Sequence, residues 1–420
     1  MKILIRNAEI LNAGSKYHGK KSNLLVVNGK ITYLGKENPS ADKVISGKDL
    51  KVSTGWIDMF SLLGDPGYEH KEDIRSATEA AAHGGFTSIV AYPNSKPPIQ
   101  TKNDISYLTS GNGNRLVQIL PVASVTVDNK GEDLTEMIDL HQAGAIAFSD
   151  GTVPIWHTDI VLKSLQYLQK FEGLLINRPE DNRLNLFGIM HEGKESTILG
   201  MKGMPRLAEE IAVSRDLQLL EYAGGRLHLA NISTPGAIDM IRKAKKNGLN
   251  VSCDVAAHQL VLDDSLLNDF DSNYKVNPPL REKSDIRALI KGLNDGTIDA
   301  IVSSHHPQDE ESKTLEFDLA EFGIIGFQTV LPYLVDISAS VDWKVLIEKL
   351  TSNPASILKL DTPSIRVDEL ADLTVFDTGE DWTFDESSNK SRSKNSPLFG
   401  NQLKGKVKAV FKNKKHKTFD

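Results

Sequence analysis

The sequence predicts an α/β chain: a (β/α)8 TIM barrel with a small β-sandwich domain formed by the N- and C-terminal segments. Three observations carry this expectation. About eight short apolar strands recur over roughly 300 residues, each followed by a segment of helical spacing. The two ends of the chain have an all-β texture instead. No Gly-x-Gly-x-x-Gly turn follows any strand, which counts against a doubly wound sheet, the other fold that such alternation suits.

In chain order, Lys2-Ile-Leu-Ile-Arg and Asn23-Leu-Leu-Val-Val read as strands, and Asn28-Gly29 marks a hairpin before Lys30-Ile-Thr-Tyr-Leu. Ser53 to Asp58 reads as the first barrel strand. Ile74 to Gly85 has helical spacing and ends at a glycine pair, after which Thr87 to Tyr92 is a buried strand. Further strands are expected at Leu116–Val122, Ala145–Phe148, Leu174–Ile176, Arg226–Ala230, Leu249–Cys253 and Ile298–Val302. Asp372–Asp377 and Gly405–Phe411 return to β texture, separated by the polar segment Asp385 to Asn395. The expected domains are a composite β domain of residues 1–52 and 366–420 and a barrel of residues 53–365. Barrel chemistry sits at the C-terminal ends of the strands, so those positions matter most.

Composition narrows the function classes. The formal charge of −7 argues against a nucleic-acid surface. Seven lysines lie between Lys404 and Lys417, and a solvated strand edge or frayed tail is the expected reading. Cys253 is the only cysteine, which excludes an intrachain disulfide and a thiolate metal cluster. No secretory signal or membrane-spanning apolar run is evident, so a cytoplasmic protein is expected.

Several long phrases carry a family resemblance. They include Lys71-Glu-Asp-Ile, Ala80-Ala-Ala-His-Gly-Gly-Phe-Thr, Tyr92-Pro-Asn-Ser-Lys-Pro and Gly144-Ala-Ile-Ala-Phe-Ser-Asp-Gly. Leu199-Gly-Met-Lys-Gly-Met-Pro, His228-Leu-Ala-Asn-Ile-Ser-Thr and Val276-Asn-Pro-Pro-Leu-Arg follow in order. Over nearly its whole length the chain resembles dihydroorotase of the cyclic amidohydrolase superfamily. The resemblance implies a metal-dependent barrel that interconverts carbamoyl-aspartate and dihydroorotate in pyrimidine synthesis. Zinc would polarise the ring carbonyl and acidify a water, and an aspartate would move the proton.

The resemblance also implies where those groups would stand, and most positions depart from it. The His-x-His pair of the first strand corresponds to Phe60 and Leu62, and the substrate-binding arginine to Gly64. The histidine after the fifth strand corresponds to Arg178, and the sixth-strand histidine to Asn231. Ser304 replaces the catalytic aspartate, and Gln308 the histidine that closes the same phrase. Asp150 survives as a carboxylate at a metal-ligand position. Asn94, Asn277, Phe322 and Gly323 match substrate-contacting positions. Phenyl and isobutyl groups cannot coordinate zinc, and a guanidinium repels it.

Rival readings weaken on inspection. Ser304 beside His305 and His306 suggests a nucleophile with its base, but neighbours on a strand point to opposite faces. His228 and His258 are read as hydrogen-bonded structural histidines, and His191-Glu192 as a solvent-facing loop. The leading expectation is a non-catalytic homologue, with no catalytic residue and no cofactor. It resembles the inactive homologues that assemble with aspartate carbamoyltransferase, and homo-oligomers are also open. The alternatives are an active hydrolase with zinc on atypical ligands and a ligand sensor using the old pocket.

Overall fold

The computed structural model describes residues 1–361 and 363–419. Its centre is a ring of parallel strands: β1 (Trp56–Ser61), β2 (Phe86–Ala91), β3 (Gln118–Ala123), β4 (Ala147–Phe148), β5 (Leu175–Asn177), β6 (Leu227–Leu229), β7 (Val251–Ala256) and β8 (Ala300–Val302). They pair in sequence order, as a barrel requires. The ring closes between β8 and β1. Ser61 bridges His305, Leu62 N–H donates to the His305 carbonyl at 3.0 Å, and Ser303 donates twice to the Asp58 carboxylate.

Local chemistry accounts for the crossover helices. Helix Ile74–His83 starts at a capping box between Asp73 and Ser76 and buries Ala77, Ala80, Ala81 and Ala82. Thr234 caps helix Pro235–Lys246, whose proline stands where no N–H partner is needed. Its last turn carries Lys243, Lys245 and Lys246, the charge sign that a helix C-terminus favours.

Both chain ends join one hydrogen-bonded sheet. Strand Leu50–Thr54 pairs parallel with Lys2–Leu11 and antiparallel with Asp372–Thr383, uniting the two termini. Ile3, Ile5, Val26, Val52, Val375 and Phe411 share its apolar core. The single strand expected over Ser53–Asp58 is divided at Gly55: residues through Thr54 belong to the terminal sheet, and β1 starts at Trp56. A side chain at Gly55 would sit 2.0 Å from Thr87 Oγ1 and 2.1 Å from Asp372 Oδ1, so only glycine fits this seam. Trp56 then packs edge-on against Phe86 and Phe376, joining barrel to sheet.

The lysine-rich end is a strand edge whose ammonium groups meet carboxylates: Lys406 and Lys408 with Glu380, Lys412 with Asp372, and Lys417 with Glu79. Among the described residues no helix is long and apolar enough to cross a membrane.

Candidate functional site

At the C-terminal end of β1 the strand carries one residue more than its partner. Asp58 pairs with Ile89 and Ser61 with Ala91, so three steps on β1 face two on β2. This bulge re-aims the strand end. Phe60 and Leu62 enter the apolar cluster that fills the barrel, with Val90, Leu120, Ile176 and Val302. Phe60 stacks edge-on against Tyr92 with ring centroids 4.4 Å apart. Two residues on, Gly64 has φ +68°, and a Cβ there would lie 2.5 Å from the Glu72 carbonyl oxygen. The backbone at this position has no room for a side chain of any kind.

Polar groups on and just after β6, β7 and β8 are bonded to one another. His228 is fully buried and uses both ring nitrogens, Nδ1 to Ser252 Oγ and Nε2 to Asp254 Oδ2, each at 2.8 Å. The other Asp254 oxygen accepts the Asn231 N–H at 2.6 Å. Asn231 Nδ2 reaches Ser304 Oγ at 3.4 Å, while its Oδ1 has no partner. Burial, with some repulsion from Asp254, raises the Asp58 carboxyl to about 7, against the bonds from Ser303. The native state therefore keeps a proton that the unfolded chain releases near pH 4. Stability from this group is present below about pH 4 and is lost as pH rises towards 7. Asp58→Asn is expected to flatten the fall in urea midpoint across that window; parallel profiles for the two proteins would refute the assignment.

Asp150 is also buried, and its carboxylate is engaged. Oδ1 accepts the Val125 and Thr126 N–H groups, both at 2.9 Å, and Oδ2 accepts the Thr126 hydroxyl at 2.6 Å. Desolvation nevertheless raises it to about 6. Asn94 donates to the Asp150 carbonyl and accepts from Thr152 N–H, fastening one loop to another. After β5, the buried Arg178 pairs with Glu180 at 2.6 Å, and Glu180 accepts from Asn277 Nδ2 at 3.2 Å. Arg178 Nε and the Tyr92 hydroxyl are left without partners.

The phrase after β8 is held by a segment that the sequence offered only as a polar spacer. Part of Asp385–Asn395 crosses from the terminal sheet to the barrel mouth as a strap. Asn395 donates to the His306 carbonyl at 3.1 Å and accepts the Gln308 N–H at 3.0 Å, and Ser393 donates to the Lys71 carbonyl at 2.6 Å. Glu72, fully buried, accepts from Ser391 Oγ, Ser76 Oγ, the Arg392 N–H and His305 Nε2. The His305 ring lies over Phe327, and its Nδ1 accepts from Gly326. Among the described residues no hydrogen bond joins the Ser304 side chain to a histidine; its Oγ meets Asn231, and both His305 ring nitrogens are engaged elsewhere. Gln308 Nε2 donates to the Phe322 carbonyl at 2.8 Å. Gly323, at φ +145°, lies so near His306 that a Cβ would come 2.6 Å from its carbonyl oxygen.

The comparisons agree with this architecture. A Dihydro-orotase-like family profile matches residues 50–236, and an Amidohydrolase family profile matches residues 193–415. A dihydroorotase of Syntrophus aciditrophicus is 40% identical over 97% of each chain, and one of Geotalea daltonii is 39% identical over 96% of each. The chain belongs to the dihydroorotase family of amidohydrolases. L-hydantoinase of Arthrobacter aurescens superposes with a TM-score of 0.82 at 22% identity, covering 97% of this chain and 94% of the other. That likeness shows the fold.

For a dihydroorotase relative, the donor set at the barrel mouth does not fit zinc. Phe60 and Leu62 offer no lone pair, Arg178 brings a positive charge, and Asp150 already accepts from three donors. His228 has both nitrogens occupied. His258 is buried, and desolvation lowers it to about 4.

Among the described residues, one further group brings ligand-type atoms together. His191, Glu282 and Asp285 have such atoms within 4.8 Å of one another. His191 corrects the sequence reading: it is fully buried, while Glu192 beside it is exposed. It lies on a short strand paired with Gly203–Met204, a local pairing with no periodic signal. Arg281 donates to its Nδ1 at 3.0 Å, which places the ring proton on Nε2. Arg206 donates to both carboxylates, so a metal ion there must displace a guanidinium.

Proposed function

We propose that this chain is a dihydroorotase homologue of pyrimidine synthesis that has lost metal binding and ring hydrolysis and is retained as a structural partner of aspartate carbamoyltransferase. One observation carries the loss of chemistry. The two residues at the His-x-His positions are packed into the barrel's apolar core, with Phe60 stacked on Tyr92. Burying such side chains contributes about 1.5–3 kcal/mol each. Removing a metal centre would otherwise leave unsatisfied ligands in a dry space, and these substitutions avoid that cost. Gly64, Arg178, Asn231 and Ser304 extend the change to the substrate anchor, two further ligand positions and the base. The partner rests on the resemblance to inactive homologues of this type.

Metal analysis by mass spectrometry and an assay with dihydroorotate test the first half. The expected result is no stoichiometric zinc and no turnover. Stoichiometric zinc with turnover abolished by Asp150→Ala would establish the alternative, an active hydrolase on atypical ligands. Co-elution with the cognate transferase tests the second half, and separate peaks at micromolar concentrations would count against it.

A ligand-binding reading has its own support. Arg178 Nε, Tyr92 Oη and Asn231 Oδ1 are buried polar atoms without partners around the old site. Calorimetry with dihydroorotate and carbamoyl-aspartate examines that reading, and no heat with either removes both as ligands.

A further inference from the structure

We propose that the cavity between the strap and the loop after β8 binds a small oxyanion, either a carboxylate or a phosphate. The proposal goes beyond the reading of the old metal site and does not depend on it. The cavity has a volume of about 330 Å³, and its walls include Lys313, Gln308, Asn273 and the strap residues Arg392, Lys394 and Asn395.

Lys313 is 8% exposed. Its ammonium donates to the carbonyls of Glu321 at 2.8 Å and Gly323 at 3.2 Å, which accounts for two of its three N–H groups. No carboxylate pairs with it among the described residues. Burial, aided by nearby Lys275, lowers it to about 7, while Asp271 and Glu321 act in the opposite sense. Lys275 spends its own ammonium on the carbonyls of Phe317, Asp318 and Ala320.

The acids facing the cavity are committed elsewhere or exposed. Asp309 caps its helix through Ser312 and lies 3.6 Å from His70 and 3.9 Å from Lys71. Glu310 is exposed. Arg392 pairs with Asp73 at 3.2 Å and Lys394 with Glu386, both at the exposed rim where such pairs are weak. A positive field over this face has a second sign. Behind the dominant effect of burial, Lys71, Lys313 and Arg178 help to hold His306 down at about 3.

An oxyanion in the cavity would accept from the third Lys313 N–H and from Asn273 or Asn395, with Arg392 and Lys394 closing over it. Binding favours the charged amine, so above about pH 7 a bound anion draws a proton onto Lys313. Affinity is therefore level below about pH 7 and falls up to about tenfold per pH unit above it.

Calorimetry on the full chain, with inorganic phosphate and malonate as separate arms, tests this. Saturable one-site binding of either supports the proposal, and the arm that binds identifies the group recognised. The pH series uses malonate and is repeated in His70→Gln, which removes the imidazole from the cavity wall. Arg392→Ala/Lys394→Ala is expected to weaken binding about tenfold without moving the melting temperature, because both side chains are at the rim. Lys313→Met should abolish binding; if its loss unfolds the loop, the rim variant and the pH series still decide. No heat with either anion, no loss in the rim variant, or a pH slope that vanishes in His70→Gln would each overturn the proposal.

Discussion

His228→Leu is expected to lower the unfolding free energy by about 3–5 kcal/mol, the cost of removing one partner from a buried polar pair. The variant leaves Asp254 Oδ2 and Ser252 Oγ without the imidazole in a space that water does not reach. Among the described residues the Asn231 N–H remains as the one donor to the Asp254 carboxylate, on its other oxygen. Urea unfolding followed by tryptophan fluorescence checks the size. The double variant His228→Leu/Asp254→Asn should recover much of the loss, because the amide keeps an acceptor for Asn231 while the carboxylate is gone. A single-variant cost under about 1 kcal/mol would mean that the pair is not the keystone of the barrel floor.

Histidines placed at positions 60 and 62 are not expected to create a metal site. Phe60→His/Leu62→His should lose about 3 kcal/mol or more, since two apolar side chains give way to imidazoles without partners and the Tyr92 stack is lost. A ligand that bound the native state would stabilise it in proportion to its concentration over Kd. Zinc should give no such gain in melting temperature. The remaining partners at the mouth are a guanidinium, an amide and a carboxylate that already accepts three bonds. Dihydroorotate should remain unconsumed. A zinc-dependent rise in melting temperature with turnover would show that the two substitutions alone disabled the site.

Much of this arrangement was legible from residue order. Strand–helix alternation is a local pattern, and each strand names its own end, so the positions facing the mouth could be read once the barrel was inferred. Phe60, Leu62, Arg178, Asn231 and Ser304 lie within a few residues of such ends. What escaped depends on contacts between distant segments. Ser391 and Asn395 lie more than 80 residues from His306 and Gln308 in the chain, and nothing in Asp385–Asn395 signals where it docks. Glu72 stood inside a recognised phrase, yet its burial comes from groups brought in by Ser391 and His305. His191 looked like loop because its two-residue strand is too short to show a period. The break at Gly55 was hidden by continuous β-forming residues, since only the approach of Thr87 and Asp372 makes glycine necessary there.

The turn at Gly64 has a historical consequence. An arginine cannot be introduced by exchanging one residue, because the Glu72 and Tyr68 carbonyl oxygens already occupy the ground where its Cβ would stand. Tyr68 also ties this turn together, donating its N–H to the Gly64 carbonyl. A variant carrying a side chain at this position would first have to rebuild the loop. On the reading proposed above, the glycine acts as a ratchet: a single exchange towards the family's arginine is closed by the main chain itself.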